Sequence, residues 1–195
     1  MDITTLVRTL TPLADAFEVY SIPYHLTGSL ALSVYVNTQV MQGLEVVADI
    51  KFSQVQALVV QLEKMYDVTE IAIREAIEHR GSFTLIHHDT VRKIDVLLPA
   101  YRAYSQVRQE KAQEHPLEHG TRSFRIASPE DMVLVLLEQY KGGEQPIRRL
   151  WDTMLEILRA QGKQLDLAYL RVWATALDVA PLLEHSLVSA GLSQA

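Results

Sequence analysis

Residues 23–52, PYHLTGSLALSVYVNTQVMQGLEVVADIKF, constrain the fold more than any other part of the chain. His25-Leu26-Thr27 reads as a short strand that runs straight into Gly28-Ser29. From Ser29 to about Val36, residues Leu30, Ala31, Val34 and Tyr35 suit a buried helix. Asn37-Thr38-Gln39 and Gly43 supply a loop, and Val46 to Phe52 has the β-branched content of a strand. A Gly-Ser pair at the mouth of a helix lets backbone amides approach an anion closely. The helix N-terminus adds a favourable partial charge for phosphate. A period of two along 46–52 puts Asp49 and Lys51 on one face, with Ala48, Ile50 and Phe52 on the other. A carboxylate therefore stands where a divalent cation needs a ligand.

The flanking sequence reads as support for this unit. Residues 2–18 form an amphipathic helix, capped by Asp2, with Leu6, Leu10, Leu13 and Phe17 on its apolar stripe. Ser53 to Lys64 is a second helix, with Ser53 as its cap. Tyr66-Asp67-Val68 reads as a brief strand and Ile71 to His79 as a helix. Phe83–His87 and Val91–Leu98 form a hairpin around His88-Asp89-Thr90. Asp95 lies in the second, apolar arm, so it needs a hydrogen-bond partner, a metal or an exposed sheet face. Tyr101 to His119 is polar, helical at first and a loop by Pro116, and Arg122–Ile126 is expected as a last edge strand. Near residue 126 the pattern changes from mixed α/β to all-α. Ser128-Pro129-Glu130-Asp131 announces a helix by cap, proline and first-turn acids together. Helices are expected over 129–141, 147–161, 167–177 and 179–190, with Asp166 capping the third and Leu167, Leu170, Trp173 and Leu177 on its stripe. The expected division is an α/β domain over 1–125 and a helical domain over 126–195.

Composition narrows the partners. The 18 basic and 24 acidic residues leave a net charge of −6, which does not favour non-specific binding to long nucleic acid. With 0 cysteines there is neither a disulfide framework nor a thiolate site. No apolar run suits a membrane span and the N-terminus does not look like a signal peptide, so a cytoplasmic location is expected.

Taken in order, the Gly-Ser turn, Asp49, Asp95 and the Ser-Pro-Glu-Asp helix resemble the nucleotidyltransferase superfamily, which shares its fold with polymerase beta. The closer likeness is to small bacterial members grouped with abortive-infection type IV toxin nucleotidyltransferases. Arg149, Asp152 and LDLAYLRVWA (165–174) resemble that group's helical region. The resemblance implies a mixed sheet with flanking helices and transfer of a nucleotidyl group from a nucleoside triphosphate, dependent on Mg²⁺ or Mn²⁺. It implies Gly28 and Ser29 for phosphate binding, Asp49 and Asp95 as catalytic carboxylates and metal ligands, and Arg149 at the nucleotide. Lys51 stands where the pattern has a second acid, and would either neutralise triphosphate directly or pair with Asp49. Glu45-Val46-Val47 stands where a basic residue is often seen, and Leu136 where relatives carry a lysine. The acceptor is left open between RNA, protein and small molecule. These departures keep a second expectation alive: a degenerate binding or regulatory module, with a protein partner such as an antitoxin.

Simpler readings stand beside these. Gly28-Ser29 also reads as a tight turn, and Asp49 with Lys51 as a surface ion pair. Neighbouring strand residues point to opposite faces, so His87 and His88 are not expected to chelate together. Pro116 lies between His115 and His119, against a helical zinc pair.

Overall fold

A computed structural model describes residues 2–36, 43–100, 102–117, 122–143 and 147–192. The chain divides into two compact units, the first comprising Met1–Leu30 and Val40–Ala127, the second Ala31–Gln39 and Ser128–Ala195.

The first unit is a mixed seven-stranded sheet with helices. In chain order its elements are α1 (Ile3–Val19), β1 (Tyr24–Thr27), the start of α2 (Gly28–Tyr35), β2 (Leu44–Ala48), α3 (Val55–Leu62), β3 (Tyr66–Asp67), α4 (Glu70–His79), β4 (Ser82–His87), β5 (Lys93–Leu97), α5 (Ala103–Lys111), β6 (Gln113–Pro116) and β7 (Ser123–Ile126). The strand order is β3-β4-β5-β2-β1-β7-β6. The pairs β2–β5 and β1–β7 are parallel and the others antiparallel.

Alternation sorts the two faces. Leu26, Val46, Ile94, Val96, Leu85 and Phe124 point to one side and are buried. Leu10, Leu13, Ala14 and Phe17 of α1 lie against Leu26, Val46 and Phe124. Each leucine, valine or phenylalanine side chain taken from water stabilises the unit by roughly 1.5–3 kcal/mol. The opposite face carries Thr27, Glu45, Asp95 and Thr84, and Asp95 and Thr84 are exposed.

Four expectations need correction. The second strand is Leu44–Ala48, so Asp49 and Lys51 lie beyond its end and do not share a strand face. Gln113–Pro116, expected as loop, is strand β6; a proline is tolerated there because β6 is the sheet's outer strand. Consequently β7 is not an edge: it pairs with β6 on one side and β1 on the other. Ser53 falls within a short 3-10 turn, Phe52–Gln54, rather than capping α3.

One side chain repairs a helix. Pro12 sits inside α1, and one turn around it the Tyr66 hydroxyl accepts from the Leu13 amide at 3.1 Å and donates to the Thr9 carbonyl at 2.6 Å. Tyr66→Phe strands both buried groups, so urea denaturation is expected to show a loss of about 1–3 kcal/mol.

The second unit contains α6 (Pro129–Gly142), α7 (Ile147–Gln161), α8 (Leu167–Ala176) and α9 (Ala180–Ala190). Ser128 caps α6 by accepting from the Asp131 amide at 3.1 Å. Glu130 and Asp131 are buried: Glu130 accepts from the Asp166 amide at 2.9 Å and Asp131 from the Tyr169 hydroxyl at 2.7 Å. Asp166 caps α8 through the Tyr169 amide. The buried positions of α8 are Leu170 and Ala174, one turn apart, while Leu167, Trp173 and Leu177 are half-buried. Among the described residues no helix is long and apolar enough to cross a membrane.

Candidate active site

The end of β1 runs into α2 without a spacer, and Gly28 makes the bend at φ 64°. The backbone angle there favours glycine, and a β-carbon would lie 2.5 Å from Glu45 Oε2, so any side chain would also have to displace the Glu45 carboxylate. The next residue, Ser29, donates from Oγ to the Gly43 carbonyl at 3.1 Å, which ties the helix start to the approach of β2.

Because β1 and β2 are antiparallel, the start of β2 lies beside the end of β1. Thr27 pairs with Glu45. Across the next strand Glu45 pairs with Asp95, and Asp95 with Thr84. Paired residues share a face, so Thr27, Glu45, Asp95 and Thr84 form one polar row across four strands, spaced about 4.8 Å apart. Thr84 Oγ1 donates to Asp95 Oδ1 at 2.6 Å. Glu45 is half-buried, and burial first, then the charge of Asp95, raise its carboxyl above the usual range. Two adjacent carboxylates make a donor set suited to one divalent cation, with phosphate oxygens or water completing its shell. No group of three or more such ligands occurs among the described residues.

At the Thr27 end of the row, Arg108 of α5 donates to Thr27 Oγ1 at 3.1 Å. Its neighbour Gln109 accepts from His25 and donates to the Pro23 carbonyl at 2.9 Å. The amide orientation therefore makes His25 Nδ1 the protonated ring nitrogen. Burial, followed by the charge of Arg108, lowers the His25 pKa to about 3.

The sequence-expected residues divide between two places. Gly28, Ser29 and Asp95 lie at or along this row. Asp49 does not: its amide donates to the Pro23 carbonyl at 3.0 Å, at the far end of β1. It lies four positions beyond Glu45, about 13 Å along an extended chain. There Asp49 accepts from Lys51 Nζ at 2.5 Å, with Arg80 at 3.9 Å, so of the two roles expected of Lys51 the structure holds it in the ion pair with Asp49. Asp49, Lys51 and Arg80 line a separate cavity of about 680 Å³, walled also by Phe17, Tyr24 and Arg125. Arg149 is an exposed residue of α7 in the second unit, and Leu136 is buried in α6. Arg148 lies 3.9 Å from Asp152, with 95% of its side chain exposed. The two adjacent histidines lie apart: His87 is buried against the Tyr66 ring, and His88 lies 3.3 Å from Asp67. His115 lies on β6, and His119 is outside the described residues.

Glu45 and Arg108 were not anticipated. Glu45 had a signal: in an antiparallel pair, the residue facing a turn at Gly28 must come from the first residues of β2. Arg108 had none, lying in a polar stretch with no periodic cue.

No protein-family model and no curated protein matches the sequence. Solved structures do. An antigenic nucleotidyltransferase-like protein from Paracoccidioides brasiliensis aligns over 94% of this chain and 92% of its own, at 15% identity and a TM-score of 0.54. The solution structure of the antibiotic-resistance factor ANT(2'')-Ia aligns over 95% and 98%, at 13% identity and 0.54. Its crystal structure with adenylyl-2''-tobramycin aligns over 89% and 97%, at 12% identity and 0.55. The fold of this chain is that of the nucleotidyltransferases.

Gly28→Ala tests the bend. A left-handed angle costs an L-residue roughly 1–2 kcal/mol, and the new methyl must displace the Glu45 carboxylate. A lowered unfolding midpoint is expected, by chemical denaturation.

Proposed function

We propose that the chain transfers a nucleotidyl group from a nucleoside triphosphate to a hydroxyl-bearing acceptor, at the Gly28-Ser29 turn and the Glu45–Asp95 pair of the row beside it. The observation that carries this reading is the Glu45 carboxylate, packed where a Gly28 side chain would be and paired in register with Asp95. It joins an anion-accommodating turn to a two-carboxylate site within one row. The fold neighbour solved with adenylyl-2''-tobramycin supports the same class of chemistry.

The steps follow from the donors present. The backbone at Gly28-Ser29 receives phosphate oxygens. Asp95 is exposed, and with Oδ1 held by Thr84 its other oxygen takes the acceptor's hydroxyl proton. The acceptor oxygen bonds to the α-phosphorus as the bond to pyrophosphate breaks, and pyrophosphate leaves. Mg²⁺ or Mn²⁺ held by Glu45 and Asp95 would supply Lewis-acid stabilisation of charge on the phosphates.

Pyrophosphate release from each of the four common triphosphates, with Mg²⁺ or Mn²⁺ and a panel of hydroxyl compounds, tests the activity. No release above background with any combination argues for the second reading: a nucleotide-binding or regulatory module, one member of a toxin–antitoxin pair. That reading is favoured by the absence, among the described residues, of a third carboxylate at the row.

Metal use carries its own pH signature. Glu45 must lose its proton to bind a cation, and its pKa is raised. Apparent affinity for metal-triphosphate is therefore expected to increase as pH rises above the ordinary range near 4.5, then level off. Calorimetric titration over pH 5–8 should show this for the wild type, with a flatter profile for Glu45→Gln.

A further inference from the structure

We infer that Arg108 is the phosphate-binding cation of the nucleotide row, a part of the site supplied by α5 and not by the Gly-Ser turn. This rests on the reading of the row as a nucleoside triphosphate site, and it names the group that meets the triphosphate's charge.

The argument begins with an imbalance. Arg108 spends one N–H on the neutral Thr27 hydroxyl, and no carboxylate among the described residues forms an ion pair with it. Its Nε is buried and has no hydrogen-bond partner. A guanidinium carries five donors in a planar fork, so most of this group's capacity is unspent. Four other arginines of the first unit are differently placed. Arg8 and Arg74 pair with acids, as does Arg122, and Arg125 donates to the Gln109 and Ala112 carbonyls.

Position supplies the rest. Thr27 immediately precedes Gly28 and stands opposite Glu45 in register, so the guanidinium is held at the residue before the turn, one strand away from Glu45. A metal-triphosphate needs that division: acids for the cation and a fork of donors for phosphate oxygens the cation does not cover. Gln109, locked between His25 and the Pro23 carbonyl, holds the turn of α5 from which Arg108 projects. Arg108 acts by binding and positioning, and it makes or breaks no bond.

Inorganic tripolyphosphate is the probe, because it presents the phosphates without base, sugar or reactive acceptor. Its dissociation constant is measured by calorimetry for wild type, Arg108→Gln and Arg108→Lys, alongside each protein's ligand-free melting temperature. Loss of a charged phosphate contact is expected to weaken binding roughly tenfold to a hundredfold in Arg108→Gln, with partial recovery in Arg108→Lys. Equal tripolyphosphate affinity in wild type and Arg108→Gln, whether or not melting temperature falls, overturns the assignment and leaves the nucleotide site standing. A wild type that binds neither tripolyphosphate nor any metal-triphosphate overturns both together.

Discussion

Glu45→Gln is expected to lower metal-dependent nucleotidyl transfer by on the order of a hundredfold or more, and Asp95→Asn by a similar factor. Asp49→Asn is expected to stay within about threefold of the wild type. The contrast follows from strand direction. Glu45 and Asp95 are paired residues of adjacent parallel strands and face the same side, with Gly28 beside Glu45. Asp49 lies beyond β2, at the opposite end of β1, neutralised by Lys51. Both amide variants preserve side-chain shape while removing the charge that attracts a cation. Near-equal loss in Glu45→Gln and Asp95→Asn, with Asp49→Asn spared, places the chemistry at the row. Loss only in Asp49→Asn would place it at the 680 Å³ cavity instead.

Acid is expected to destabilise the first unit through His25. This histidine is fully buried and held neutral, with a folded pKa near 3 against an ordinary value of 6.5. The unfolded chain binds a proton across that window and the folded chain does not. Stability is therefore complete above about pH 6.5 and declines as pH falls toward 3, by about 1.4 kcal/mol per unit in the steep part. Between pH 7 and pH 5 the loss from His25 alone is about 2 kcal/mol. His87, lowered by burial, adds in the same direction. Urea denaturation at the two pH values measures the decline, and His25→Gln should make it shallower. An unchanged slope in His25→Gln would mean that the site is hydrated enough to accept a proton while folded.

Much of the architecture is legible in local pattern. The stripe Leu6, Leu10, Leu13, Phe17 and its Asp2 cap describe α1 correctly, and Ser128-Pro129 marks the start of α6. These signals work because a helix is specified by residues three and four apart. Strand ends are not specified that way. The alternation of Val47 to Phe52 continues unbroken past Ala48, so periodicity extends β2 over Asp49 and Lys51. What ends β2 is its partner: β1 begins at Tyr24, and Pro23 before it accepts from the Asp49 amide but has no N–H with which to carry the ladder on. That single boundary is why the expectation rests on Asp49 while the proposed row contains Glu45, four residues earlier. Arg108 was hidden for a related reason, since its meaning comes only from where α5 lies over β1. Gly28, Ser29 and Asp95 were readable because each is conspicuous in its own neighbourhood: a glycine at a bend and an acid in an apolar strand.

The most direct measurement is a thermal-unfolding comparison of wild type and the Glu45→Gln/Asp95→Asn double variant, each with and without nucleoside triphosphate and Mg²⁺. A ligand at 100 times its dissociation constant stabilises the native state by about 2.7 kcal/mol. The row predicts that stabilisation in the wild type only when both triphosphate and cation are present, and its loss in the double variant. A shift of equal size in the double variant would contradict it, as would a wild type that no triphosphate stabilises.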